Sequence, residues 1–298
     1  MNIGLIGLGA MGGGMARSLR TAGHHLHVYD VRPGAATDFA SDGGVACASL
    51  AELGGACDIV ISVVVNAAQT EAVLFGQDGA AGCLPPMSAG SLFVMCSTVD
   101  PGWSASLEER LAGHGVLYLD APISGGAAKA AAGQITMMTS GSAAAYDRAA
   151  GVLEAMASKV YRLGDRAGAG SKVKVINQLL AGVHIAAAAE AMALGLREGV
   201  DPAALYEVIT HSAGNSWMFE NRMKHVLDGD YTPLSAVDIF VKDLGLVLDM
   251  ARASKFPLPL SSTAHQMFMH ASTAGHGRED DSAVIKIFPG VTVPPAKS

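Results

Sequence analysis

Gly7, Gly9 and Gly12 stand in the run GLGAMG directly after the apolar stretch Ile3 to Ile6. GxGxxG spacing between a strand and a helix is suited to a diphosphate. The first glycine permits a tight turn, the second lets the backbone approach the pyrophosphate, and the third lets the helix pack closely on the sheet. Ala10 and Met11 complete the turn, and the helix that follows presents unpaired N–H groups to phosphate oxygens. Asp30 closes the next apolar run, where a carboxylate accepts hydrogen bonds from the adenosine ribose hydroxyls and repels a 2′-phosphate. This favours NAD over NADP. Arg32 is the competing feature, because an arginine there can pair with that phosphate or stack on the adenine. Chance glycine matches are common in a chain with 36 glycines, so the strand before the turn and the acid after it carry the assignment.

A second group is Lys174 and Asn177 in GAGSKVKVIN. Residues three apart on a helix share a face, whereas Lys172 points away from Lys174. Oxidising a secondary alcohol requires a base for the hydroxyl proton as the hydride leaves. A lysine serves once its pKa is brought toward roughly 7 to 8. The plainer alternative is a solvated surface lysine. His184 and His211 are rival acid–base groups, but no paired Asp or Arg motif accompanies them, and they read as structural.

Positioning these groups requires a scaffold. Strand-length apolar runs recur at 3–6, 26–29, 59–65, 92–96, 116–119 and 135–139, with helix-length segments between them. That alternation predicts an α/β fold with a Rossmann-like, doubly wound, mostly parallel sheet, since parallel strands need crossover helices. From about Gly164 the chain turns to Ala-, Leu- and Met-rich stretches punctuated by Asp201-Pro202, Thr232-Pro233 and Pro257/Pro259. An all-helical C-terminal domain follows. The expected division is a dinucleotide-binding domain over residues 1–163 and a helical substrate and dimerisation domain over 164–298. The tail after His276 is polar, then proline-containing, and is expected to be loosely held.

Composition narrows the partners. Half of the 298 residues are hydrophobic, enough for sizeable cores, and the net charge of −7 offers no basic stripe for nucleic acid. Cys47, Cys57, Cys83 and Cys96 form no CxxC pair, which argues against a metal site or disulfide framework and fits a cytoplasmic protein. The segment from Leu179 to Leu196 approaches membrane-span length, but His184 and Glu190 interrupt it. A helix buried in a soluble homodimer or homotetramer is expected instead, with no membrane contact.

The motifs GLGAMG, DAPISGG at 120–126, GAGSKVKVIN at 168–177 and KDL at 242–244 appear in one order across most of the chain. Together they resemble the β-hydroxyacid dehydrogenase family, which includes 3-hydroxyisobutyrate dehydrogenase and tartronate semialdehyde reductase. The resemblance implies that Ser124, Gly125 and Gly126 bind a substrate carboxylate, a role suited to a hydroxyl and exposed N–H groups. It also implies that Lys174 is the catalytic lysine, that Asn177 orients the substrate, and that Lys242 lies near the nicotinamide. Ser97 and Thr98 fall near cofactor and substrate. Val65-Asn66 stands on the cofactor side where relatives commonly have Pro-Asp or Pro-Asn. This variant, with DAPISGGAAKAAAG and NSWMFENR, resembles the branch of the family that oxidises L-threonate at C2. Asn66, Asn177, Gln178 and Asn215 could receive the extra hydroxyls of such a substrate, or be turn and capping residues. A non-catalytic dinucleotide-binding scaffold and an imine reductase are the alternatives from other classes, and Lys174 argues against both.

Overall fold

Runs such as IGLI and IVIS, apolar almost throughout, suit strands covered on both faces. In the computed structural model, which describes residues 1–291, the strands are β1 (Ile3–Ile6), β2 (Leu26–Tyr29), β3 (Val45–Ala46), β4 (Ile59–Ser62), the hairpin pair β5 (Gly76–Gln77) and β6 (Ala80–Ala81), β7 (Leu92–Met95), β8 (Leu117–Asp120), β9 (Ile123–Ser124), β10 (Ile135–Gly141) and β11 (Ala157–Arg162). The main sheet has the order β11-β10-β8-β7-β4-β1-β2-β3, with β9 paired to β10. Every neighbouring pair from β3 to β8 is parallel, and β10 reverses direction against β8. All six expected runs are strands, although the one beginning at Ile59 stops at Ser62. β3 and β9 are too short to show a period, and β11 is a polar edge strand, so none of the three stood out in the sequence.

The crossovers are α1 (Ala10–Thr21), α2 (Ala35–Ala40), α3 (Leu50–Ala56), α4 (Ala67–Phe75), α5 (Pro101–Ala112), α6 (Gly126–Ala131) and α7 (Ala143–Met156). Ser49, Asn66, Asp100 and Ser142 cap α3, α4, α5 and α7, each accepting the N–H three residues on. Alternate strand residues feed two separate cores, as the period of two demands. Leu5, Ile61 and Val94 pack with Met15 and Leu19 of α1, while Val60, Phe93 and Met95 pack with Leu53 of α3 and Leu107 of α5. The four cysteines are free and buried, and burial pushes their thiols up to about 11 for Cys47 and about 12 for the others.

The chain divides into two compact units, Met1–Lys174 and Val175–Ser298, with the division inside α8 (Ala169–Arg197). The second unit continues with α9 (Pro202–Thr210), α10 (Trp217–Asp228), α11 (Val237–Ser254) and α12 (Pro259–Ala271). By length and composition α8 could cross a membrane. Its Ile185, Ala189 and Met192 are instead core residues, packed with Phe219, Phe240 and Phe268. Phe240 and Phe268 stack at 5.1 Å between ring centroids, joining α11 to α12.

The segment after His276 is not loose as far as residue 287: a 3-10 turn at Asp281–Ile287 buries Ala283, Val284 and Ile285 in the helical core. Its acids are partnered. Asp281 accepts two hydrogen bonds from Arg222, at 2.5 and 3.1 Å. Asp280 accepts from Leu234 N and from Ser282. Residues 292–298, which carry the proline-containing end, lie outside the described residues.

Candidate active site

In the first unit, the carboxyl ends of the parallel strands gather most of the expected residues. Chain order reverses between β1 and β4, which opens the crevice where doubly wound sheets bind ligands. Gly7 follows β1 with φ +93°, and a Cβ there would stand 2.6 Å from the Val63 carbonyl oxygen. At Gly12 a Cβ would stand 1.8 Å from the Gly7 oxygen. Both positions exclude a side chain through internal backbone contact. Gly9 differs: no atom lies within 4 Å of its virtual Cβ. It is the N-cap of α1 and has no side chain to satisfy the first turn, with Ala10 exposed and Met11 half-buried beside it. A diphosphate fits this open, N–H-rich end.

Asp30 follows β2. Its Oδ2 accepts Leu8 N at 2.6 Å, and its Oδ1 accepts Arg32 N at 2.7 Å and Arg32 Nε at 3.2 Å. Burial opposes the charge, but these N–H donors and the guanidinium outweigh it and hold the carboxyl below its ordinary pKa. Arg32 also donates to the Leu8 carbonyl at 2.9 Å. The two residues therefore form one unit on the turn.

The loops after β4 and β7 are tied to each other. Asn66 caps α4 by accepting Gln69 N, and Gln69 Oε1 accepts Val65 N in return, both at 2.8 Å. Val65 is exposed. Ser97 is buried and donates to the Val64 carbonyl at 2.7 Å, leaving Thr98 half-buried as the next residue.

After β8 the chain passes Asp120, then Ser124, Gly125 and Gly126. Ser124 is half-buried, and its hydroxyl makes no hydrogen bond among the described residues. Gly125 and Gly126 have φ of +130° and +78°, and the space at the Gly126 Cβ is open. A free hydroxyl beside two glycine N–H groups suits a carboxylate. Asp120 itself is fully buried. It accepts Gly168 N and Ser171 N, each at 2.9 Å, Ser171 Oγ at 2.6 Å and Ser140 Oγ at 3.0 Å. Burial raises its pKa above the ordinary value, and these four donors oppose the rise. Gly170 N donates to Ser140 Oγ at 2.9 Å, closing the network.

One turn later Lys174 is only 7% exposed, whereas Lys172 is exposed. Lysines are almost never so buried unless their charge is paired. Asn177, three residues on, begins a polar chain within the second unit. Its amide donates to Gln178 Oε1 at 3.1 Å, Gln178 Nε2 donates to Asp243 Oδ2 at 2.5 Å, and Lys242 Nζ lies 2.5 Å from Asp243 Oδ1. Asn215 donates to the Thr210 carbonyl. His184 is exposed, and His211 Nδ1 lies 2.8 Å from the Glu207 carbonyl oxygen of its own helix. A surface cavity of about 350 Å³ between α4 and α5 is lined by Glu71, Phe75 and Arg110. Glu71 there already accepts from Arg110 and Trp103.

Asp120, Ser140 and Asp243 have no separate role in the sequence reading. Asp120 and Asp243 lie inside quoted motifs, and an acid ending an apolar strand was an available signal. Ser140 had none.

Residues 2–164 match the family model described as the NAD binding domain of 6-phosphogluconate dehydrogenase, and residues 168–288 match that of NADP-dependent 3-hydroxyisobutyrate dehydrogenase. The chain is 70% identical over 293 residues to L-threonate dehydrogenase of Cupriavidus necator, covering 98% of each chain. It is 54% identical to L-threonate dehydrogenase of Escherichia coli K12, covering all of this chain and 98% of that one. Among solved structures, one named 3-hydroxyisobutyrate dehydrogenase from Salmonella typhimurium superposes with a TM-score of 0.92 at 54% identity, covering 97% of this chain and 100% of the other.

Proposed function

The chain belongs to the β-hydroxyacid dehydrogenase family, and on that premise we propose that it oxidises the C2 hydroxyl of L-threonate to 2-dehydro-L-erythronate with NAD, using Lys174 as the acid–base group. The observation that carries the mechanism is the burial of Lys174 on the first turns of α8. The identity of 70% to a protein of that activity supports the substrate.

Gly7, Gly9 and Gly12 with the first turn of α1 hold the diphosphate, and Asp30 receives the ribose hydroxyls. A 2′-phosphate there would meet a carboxylate whose side chain is 6% exposed, which disfavours NADP. When bound, the nicotinamide ring supplies the acceptor for the carbinol hydride. Ser124 Oγ and the N–H groups of Gly125 and Gly126 hold the substrate carboxylate. The neutral Lys174 amine takes the C2 hydroxyl proton as the carbonyl forms, and in reverse the ammonium returns it. Asn177 presents its amide to the substrate, and Lys242, held by Asp243, adds positive charge on the nicotinamide side. Val65, Asn66 and Thr98 complete the cofactor side of the site.

Val173, Ile176, Leu180 and Leu194 are exposed apolar residues of α8. A second copy of the chain covers them in a homodimer or homotetramer. Four free thiols fit a reducing cytoplasm.

The name of the 54% identical Salmonella structure favours 3-hydroxyisobutyrate as the second reading. Initial rates with L-threonate, 3-hydroxyisobutyrate and tartronate semialdehyde, each with NAD(H) and NADP(H), separate the readings. L-Threonate with NAD should have the highest kcat/KM, and negligible turnover of it would reject the proposal. Lys174→Ala should lower kcat by about 10²- to 10⁴-fold, the range for a lost acid–base group. NAD affinity should stay within a few-fold.

A further inference from the structure

Asp120 stands between the two parts of the proposed chemistry. It ends β8, four residues before Ser124, and it binds the start of α8, where Ser171 precedes Lys174 by three residues. Three donors converge on its Oδ2, from Gly168 N, Ser171 N and Ser140 Oγ, and the Ser171 hydroxyl reaches Oδ1. The polarity of the network is determined. Ser140 Oγ accepts the Gly170 N–H and so directs its own proton to Asp120.

The segment that Asp120 grips has little other freedom. A Cβ at Gly168 would lie 2.8 Å from the Pro101 carbonyl oxygen, and one at Gly170 would lie 2.4 Å from that of Met138. The first turn of α8 is thus seated against the ends of β8 and β10. Three residues of helix add a rise of about 4.5 Å, so any slide or rotation of that turn is passed directly to Lys174.

We infer that Asp120 is a positioning residue for the proton-transferring amine: it locks the first turn of α8 to the strand end leading into Ser124, holding Lys174 at a fixed separation from the carboxylate anchor. The inference rests on Lys174 being the acid–base group. Asp120 itself does not touch the substrate; it acts through Ser171 and the N–H groups of Gly168 and Ser171.

Asp120→Asn tests this with almost no change of shape: the amide oxygen can take over the three donors on the Oδ2 side, but the NH₂ in place of Oδ1 can no longer accept the Ser171 hydroxyl, and the charge that strengthens all four bonds is lost. Kinetics with L-threonate and NAD should show kcat lowered by about 10²-fold, the scale expected when a reacting group is displaced by an ångström. KM for L-threonate and NAD affinity by fluorescence titration should stay within about threefold, because the anchor and the dinucleotide turn are untouched. The deuterium isotope effect for C2-labelled substrate should rise as the chemical step becomes slower. Ser171→Ala should lower kcat by about tenfold, and the double variant should be no worse than Asp120→Asn, because both break one clamp. Wild-type kcat in soluble Asp120→Asn, or equal losses of kcat and NAD affinity, would overturn the inference. If that variant does not fold, Ser171→Ala and Ser140→Ala decide the matter, and unchanged kcat in both rejects it. Lys174→Ala is assayed alongside. Full activity there removes the lysine role and this inference together, whereas inactive Lys174→Ala beside fully active Asp120→Asn rejects the positioning role alone.

Discussion

Gly14 of α1 lies so close to Ala131 of α6 that a Cβ on Gly14 would stand 2.7 Å from the Ala131 nitrogen and 2.9 Å from the Ala130 Cβ. The helix that begins at the dinucleotide turn is therefore packed directly on the helix that begins at Gly126. Gly14→Ala should push α6 away and displace the Gly125–Gly126 turn. Overpacking of this kind costs about 1–3 kcal/mol. Thermal melts should show the loss, and KM for the hydroxyacid should rise more than KM for NAD.

Gly9 and Gly12 should respond differently to the same methyl group. Gly9 has open space at its Cβ, so Gly9→Ala should keep the wild-type Tm while raising the Kd for NAD, because the methyl enters the space proposed for the diphosphate. Gly12→Ala meets the Gly7 carbonyl oxygen and should lower both Tm and affinity. Paired melting and NAD titration of the two variants checks this. An equal loss of Tm in both would contradict the assignment.

Asp30→Ser should release Arg32 from its pairing and remove the charge that opposes a 2′-phosphate. The ratio of kcat/KM for NADP to that for NAD should rise at least about tenfold, equivalent to about 1.4 kcal/mol of discrimination. The folded pKa of Asp30 is depressed from 3.8. Its contribution to stability is thus present above about pH 3.8 and is lost as pH falls through the lowered value. The NAD preference proposed for the wild type should accordingly be constant from about pH 5 to 9.

Arg222 and Asp281 form a buried pair beneath the 3-10 turn. Burial raises Asp281 to about 6, with Arg222 pulling down and Asp280 pushing up. Because the folded value exceeds 3.8, the contribution of this acid to stability is fully present below about pH 3.8 and is lost as pH rises through about 6. Arg222→Met removes the group that restrains the rise. Its destabilisation should reach about 3–5 kcal/mol at pH 8, the cost of stranding a buried charge, and be smaller at pH 5, where Asp281 is protonated. Urea unfolding at the two pH values measures the difference.

Much of this architecture is legible in local sequence. The GLGAMG turn, the acid at residue 30, six strand runs and the change to helix after Gly164 are all visible, because glycine placement and hydrophobic period describe the backbone over a few residues. Local spacing also separated Lys174 from Lys172, since helical geometry points them apart. It said nothing of which lysine is covered.

Tertiary structure alone decided that, and the rest of the site depends on contacts of the same kind. Asp120 meets Gly168 and Ser171 across 48 and 51 positions, and Arg222 meets Asp281 across 59. A run of acids such as Glu279-Asp280-Asp281 reads as solvated until its donors are known, because a charge is tolerated inside only when a distant partner satisfies it. Gly14 carries no turn signal, and its requirement comes wholly from α6. The chain's own order thus specified the dinucleotide turn and the elements around it, while packing chose the buried lysine, its carboxylate clamp and the polar lock at residues 280–281, since burial and hydrogen-bond partnership are properties of neighbours distant in sequence.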